Sequence, residues 1–129
     1  MAGVVSWVTA DIEALRGRFD TVLQNPPFGV QRRGADRKFI LKALELGRRI
    51  YSLHKSVSRD RLLINRLGRR GIAPARPSPF LKGLIERHGG RILSVYTMVM
   101  TIPHLFEFHE RRKHRFLVDL YVIERISQA

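Results

Sequence analysis

The chain has 129 residues, 44% of them hydrophobic, which suits one domain with its own core and excludes a disordered tail. Lys plus Arg number 24 against 11 for Asp plus Glu, and the resulting charge of +13 points to a polyanionic partner, nucleic acid first among them. With no cysteine, disulfides and thiolate zinc sites are excluded; no apolar stretch is long enough to span a membrane and no signal-peptide pattern is present, so a cytoplasmic protein is expected.

In chain order, residues 4–9 form an apolar, β-branched run that predicts a first strand ending near Asp11. Asp11, Ile12, Glu13, Ala14 and Leu15 predict a short helical turn, with Asp11 a natural cap. Residues 19–23 predict a second strand that runs into Asn25, Pro26, Pro27, Phe28 and Gly29, where two prolines and a glycine stop it. Past Gly34 and Asp36 a helix is predicted, because Phe39, Ile40, Ala43 and Leu44 recur at helical spacing. Residues 50–53 predict a third strand leading to His54, Lys55 and Ser56. Ser58 is the expected cap of a helix holding Leu62, Leu63 and Leu67, and residues 68–79 read as a loop. Ser78 is the expected cap of a short helix that Gly89 and Gly90 would stop. Residues 92–102 and 116–126 are long β-rich runs around a polar stretch, which predicts an antiparallel hairpin. The alternation implies a single α/β domain over residues 1–129, with a mostly parallel sheet, helices on both faces and a closing antiparallel hairpin. Trp7 and the Phe39 stripe are expected in the core.

The chemistry lies in Asn25, Pro26, Pro27 and Phe28. The exocyclic amine of adenine is a poor nucleophile because its lone pair is delocalised into the ring. Two hydrogen-bond acceptors on its N–H groups favour a localised lone pair. The Asn25 side-chain oxygen can be one acceptor and the Pro26 main-chain carbonyl the other, held in advance by the fixed φ of consecutive prolines. Phe28 offers a face for a flipped base to stack on. The motif follows a strand, at the edge where open α/β sheets bind ligands. Variants of it serve adenine-N6, cytosine-N4 and glutamine-N5 methyltransferases alike, since all act on a planar, conjugated nitrogen, and Phe28 leaves all three open.

The run from Asp20 to Gly29, with residues 31–37, resembles the archaeal and eukaryotic methyltransferase-like family that makes N6-methyladenosine in small-subunit ribosomal RNA. Residues 50–55, 106–113 and 118–122 resemble the same family, in matching order. The resemblance implies the C-terminal part of a class I, Rossmann-like methyltransferase. It implies that Asn25, Pro26, Pro27 and Phe28 are catalytic, and that Asp11, with Ile12 and Asn25, contacts S-adenosylmethionine. It implies RNA as substrate and a small zinc-binding activator protein as partner, covering the sheet edge. The chain departs from the family where a strand, a glycine-rich loop and a second strand should precede Asp11, since Gly3 is the only glycine before Gly17. The expectation is a start upstream of Met1, with residues 19–23 an exposed sheet edge and a chain that aggregates alone or binds the cofactor weakly. A second departure is the long loop at residues 68–79.

Residues 59–76 hold six arginines against one acid, Asp60. With Phe28, Gly29, Arg32, Arg33, His54, Lys55, Arg111, Arg112 and Lys113 they are candidates for an RNA path. No metal site is expected, because the five histidines lack ligand spacing. His54 is weighed between a substrate contact and a structural role. Two further readings stand beside the RNA methyltransferase: a basic RNA-binding remnant without activity, and a glutamine-N5 protein methyltransferase.

Overall fold

The computed structural model describes residues 3–26, 35–102 and 114–126. A 3-10 turn at Ile12–Ala14 comes first, capped by Asp11, whose Oδ1 accepts from the Glu13 N–H at 2.9 Å. Then follow β1 (Phe19–Gln24), α1 (Ala35–Leu46), β2 (Gly47–Lys55), α2 (Arg61–Leu67), β3 (Ile72–Pro74), α3 (Pro79–Arg87), β4 (Gly90–Ile102) and β5 (His114–Arg125).

The strands form one sheet in the order β1-β2-β5-β4-β3. Only β1 and β2 are parallel, joined through α1 as a parallel pair requires. β5 pairs antiparallel with β2 on one side and with β4 on the other, and β3 pairs antiparallel with β4. The sheet is therefore mixed, not mostly parallel as the strand–helix alternation implied. The predicted hairpin is β4 and β5, and β5 inserts beside β2 instead of ending the sheet. Three residues of the predicted loop form β3, with Pro74 tolerable because the strand lies at the edge.

Residues 4–9 form no strand. β-branched residues favour a strand only where a ladder partner exists, and here the segment is exposed throughout. Trp7 is 93% exposed, which corrects its expected place in the core. The core instead packs Ile40, Ala43 and Leu44 of α1 and Leu81, Leu84 and Ile85 of α3 against Ile50, Val95, Tyr121 and Ile123 of the sheet. Phe39, by contrast, is only partly buried. The predicted cap of α3 is present: Ser78 Oγ accepts from the Leu81 N–H at 3.1 Å, with Pro79 opening the helix. Gly89, at φ 82°, takes the left-handed conformation that ends it. α2 is capped by Asp60, which accepts from Leu62 and Leu63, while Ser58 accepts from the Asp60 N–H. A carboxylate outcompetes a hydroxyl at that position because it accepts two helix N–H groups at once.

Candidate functional site

β1 and β2 run the same way, so their C-terminal ends meet at one edge, with Gln24 opposite Ser52 in register. Alternation along each strand sorts the side chains there by face. Ser52, His54, Asp119 and Tyr121 share the face that α1 and α3 cover, while Leu23, Tyr51, Leu53 and Leu120 share the other.

The covered face carries a buried polar chain. Gln24 Nε2 donates to Ser52 Oγ at 2.8 Å. Ser52 Oγ lies 2.7 Å from His54 Nε2, and His54 Nδ1 lies 2.9 Å from Asp36 Oδ1 in the first turn of α1. Ser52 is fully buried and His54 is 2% exposed. The Tyr121 ring meets His54 edge-on at 5.4 Å, and its hydroxyl accepts from the Ser78 N–H at 2.7 Å. Asp119, opposite His54 in the ladder and opposite Thr97 on β4, is also buried. Burial pushes its carboxyl above the ordinary carboxylate value, against the pull of hydrogen bonds from Thr97 and Ser56 and of nearby His54. Its Oδ1 has no hydrogen-bond partner. Burial likewise raises the Tyr121 phenol, against its hydrogen bond from Ser78.

The other face carries an open groove of about 340 Å³ at the end of β1, lined by Leu23, Gln24, Asn25, Tyr51, Leu53 and Leu120. Asn25 is exposed at its rim and Pro26 is buried. The groove is lined mainly by apolar side chains, with the Asn25 carboxamide at its rim, as sites for flat rings are.

Beyond the end of β2 lies a basic cleft of about 320 Å³. Lys55 reaches it from β2, Arg59 and Arg61 from the start of α2, and His114 and Arg115 from β5, with Phe116 in the wall. The Lys55 ammonium sits 5.3 Å from the Phe116 ring centroid. No carboxylate is among the described residues that line the cleft.

Asp11 and Ile12 lie apart from this edge, on the 3-10 turn that packs against α1. Lys42, nearly buried, ties that turn down by donating to the carbonyls of Glu13 at 3.2 Å and Leu15 at 3.1 Å while pairing with Glu45 at 3.0 Å. Lys38 adds an ion pair to Glu13 at 2.9 Å. Of the residues expected from sequence, the structure brings Asn25, Pro26, His54 and Lys55 to one edge of the sheet. His54, a candidate RNA contact, is instead internal, with both ring nitrogens engaged by protein. Pro27, Phe28, Gly29, Arg32, Arg33, Arg111, Arg112 and Lys113 lie outside the described residues. Sequence reasoning missed Gln24, Ser52, Asp36 and Asp119 as partners of this edge; only the strand register brings them together.

The chain is similar to several known proteins. An uncharacterised protein of Methanocaldococcus jannaschii is 33% identical over 106 residues, 82% of this chain and 40% of that protein. The rRNA N(6)-adenosine-methyltransferase of Drosophila melanogaster is 46% identical over 63 residues, 43% of this chain and 30% of the enzyme. Among solved structures, a candidate RNA methyltransferase of Pyrococcus horikoshii matches with a TM-score of 0.64 at 31% identity, over 91% of this chain and 49% of that one. A Thermoplasma acidophilum protein matches with a TM-score of 0.59 at 25% identity, over 92% of this chain and 53% of that one. The chain thus spans about half, or less, of the length of the relatives it matches. No protein-family model matches it. Among the described residues, no helix is long and apolar enough to cross a membrane.

Proposed function

We propose that this chain carries the base-recognition half of an S-adenosylmethionine-dependent methyltransferase acting on N6 of adenosine in RNA, with ribosomal RNA the substrate. The observation that carries the reading is that Asn25 and Pro26 follow the C-terminal end of a parallel strand, with Asn25 on the rim of an apolar groove. The similarity to rRNA N(6)-adenosine-methyltransferases supports it.

In this reading the groove receives the flipped adenine. The Asn25 side-chain oxygen accepts one N–H of the exocyclic amine and the Pro26 carbonyl accepts the other, which turns the nitrogen lone pair out of conjugation. Phe28 stacks on the ring. After transfer the methylated nitrogen gives its proton to water, so no strong general base is required. S-adenosylmethionine, when bound, supplies the electrophilic methyl group. The Asp11 carboxylate is exposed and would accept from the amine of the cofactor's adenine, with Ile12 and Asn25 completing the proposed contacts. The basic cleft beyond β2 takes the RNA backbone, joined by Gly29, Arg32, Arg33, Arg111, Arg112 and Lys113. A small zinc-binding activator protein would cover residues 4–9, the expected sheet edge, which lie exposed.

The test is to incubate the protein with small-subunit ribosomal RNA and labelled S-adenosylmethionine, then digest the RNA and look for N6-methyladenosine. Asn25→Ala should lower turnover about 10²–10³-fold, as loss of one preorganised hydrogen-bond partner does elsewhere, with thermal stability unchanged. Label on cytosine or on a glutamine side chain would overturn the adenine assignment. Tight RNA binding with no transfer would favour the second reading, an RNA-binding module, which the basic cleft supports on its own.

A further inference from the structure

The hydrogen-bond chain through His54 has a direction. The Asp36 carboxylate can only accept, so His54 Nδ1 carries the ring proton and donates it. With the ring proton on Nδ1, Nε2 is left to accept the Ser52 hydroxyl proton. That leaves the Ser52 oxygen to accept from Gln24 Nε2, as its 2.8 Å contact shows. Every donor points the same way, from Gln24 to Asp36, and no member is left half-satisfied.

The two ends of this chain are not arbitrary positions. Gln24 is the last residue of β1 and is joined by a peptide bond to Asn25. Asp36 is in the first turn of α1. They are the anchor points on either side of residues 25–35. His54 sits between them on a strand that is locked on both sides, by β1 and by β5. Tyr121 presses edge-on against its ring, and the Tyr121 hydroxyl is itself held by the Ser78 N–H. The imidazole therefore has little freedom to turn. A buried, rigid and fully satisfied network that reaches partly exposed residues only at its ends suits a clamp better than a binding site.

We propose that His54 is a positioning residue for the Asn25 carboxamide: through Ser52 and Gln24 it fixes the end of β1, and through Asp36 it ties that end to the start of α1. The inference rests on the reading of Asn25 as the hydrogen-bond acceptor for adenine. A displacement of about 1 Å in a reacting group is enough to cost about 10²-fold in rate. Such a displacement is what loss of one anchor would allow.

The variants are Asp36→Ala, which removes the acceptor at a partly exposed position, and Asp36→Asn, whose amide oxygen can still accept the His54 Nδ1–H. His54→Phe keeps the ring and removes both bonds. The first readout is backbone hydrogen exchange, which needs no activity. Asp36→Ala should speed exchange at Gln24 and Asn25 about tenfold, the scale of one lost hydrogen bond to a charged group. Amides of β4 should not change, and Asp36→Asn should restore most of the protection. The second readout is kinetic: Asp36→Ala and His54→Phe should lower kcat about 10²-fold with KM for RNA near the wild-type value. Unchanged exchange at Gln24 and Asn25 overturns the clamp, and so does equal acceleration throughout β4 and β5, which would make the network a general stabiliser. If Asp36→Ala keeps the wild-type kcat, the clamp falls and the methyltransferase reading stands. If the wild-type chain transfers no methyl group yet exchange responds as described, the clamp stands and the methyltransferase reading falls.

Discussion

Tyr121→Phe removes a single oxygen from the centre of the molecule. Tyr121 is 1% exposed, packs in the core between α1, α3 and the sheet, and accepts from the Ser78 N–H at 2.7 Å. The ring, its apolar packing and its edge contact with His54 survive the substitution, so no cavity term of note arises. What is lost is the only acceptor shown for the Ser78 N–H, at the residue that caps α3. Leaving a part-buried donor unsatisfied costs about 1–2 kcal/mol. At about 2.1 cal/mol/K per residue, 129 residues give an unfolding entropy of about 0.27 kcal/mol/K. The expected loss is thus about 4–7 °C in Tm at neutral pH. The alkaline limb should move the other way. Burial raises the Tyr121 phenol above its ordinary value of 10.0, so the unfolded chain ionises first and the wild type loses stability as pH climbs past that value. The Phe variant has no such proton to hold. Its deficit should shrink above about pH 10. Chemical denaturation at neutral pH and again at alkaline pH measures both effects. A variant as stable as wild type at neutral pH, or a deficit that stays constant into the alkaline range, would refute the argument.

Asp119 should give a second pH signature. Its carboxyl is raised by burial, so the stability it confers when protonated is full below the ordinary value of 3.8 and falls as pH rises through the raised one. Asp119→Asn should flatten that part of a urea-denaturation series, and an unchanged pH profile would count against the assignment. Lys55→Ala and Arg61→Ala should each reduce the slope of log affinity for RNA against log salt by about 0.7–0.9, one phosphate contact apiece. Fluorescence anisotropy across a salt series reads this directly, and unaltered slopes would remove the cleft from the RNA path.

Local rules carried well at most places where the outcome was local, the cap of α2 being Asp60 instead of Ser58. Ser78 before Pro79, Gly89 after the helix, Asp11 before the 3-10 turn and the β-rich runs of the hairpin all formed as their residue types suggest. They failed where the deciding partner lay far away in sequence. Residues 4–9 have the composition of a strand, but no strand of the sheet pairs with them. Residues 72–74 have little strand character alone and are recruited by β4. The mixed sheet follows from β5 settling between β2 and β4, a choice made by packing that no run of residues announces. At the candidate site, the position of Asn25 and Pro26 at the end of a strand was legible from the prolines that stop it, and Lys55 from the resemblance of residues 50–55. The clamp was not, because Gln24, Asp36, Ser52 and His54 are spread over separate elements and none is unusual by itself. His54 gained its role from the burial of β2, which a sequence cannot weigh.

The place of β5 in the sheet has a further consequence for how the molecule comes into being. The strand that lies at residues 114–125 is third of five in space, and it pairs His54 with Asp119 and Tyr96 with Leu120. Contacts of that sequence separation are slow to form, because a long loop must close before they return any energy. As the chain leaves the ribosome, β1, α1 and β2 emerge early but have nothing to flank β2 on its second side. Among the described strands, those other than β5 make two ribbons, β1 with β2 and β3 with β4, and a two-stranded ribbon is marginal in water. The expectation is that the Asn25 edge is completed late, when β5 settles beside β2. A nascent chain halted before His114 would depend on chaperones to keep those ribbons from pairing with their neighbours.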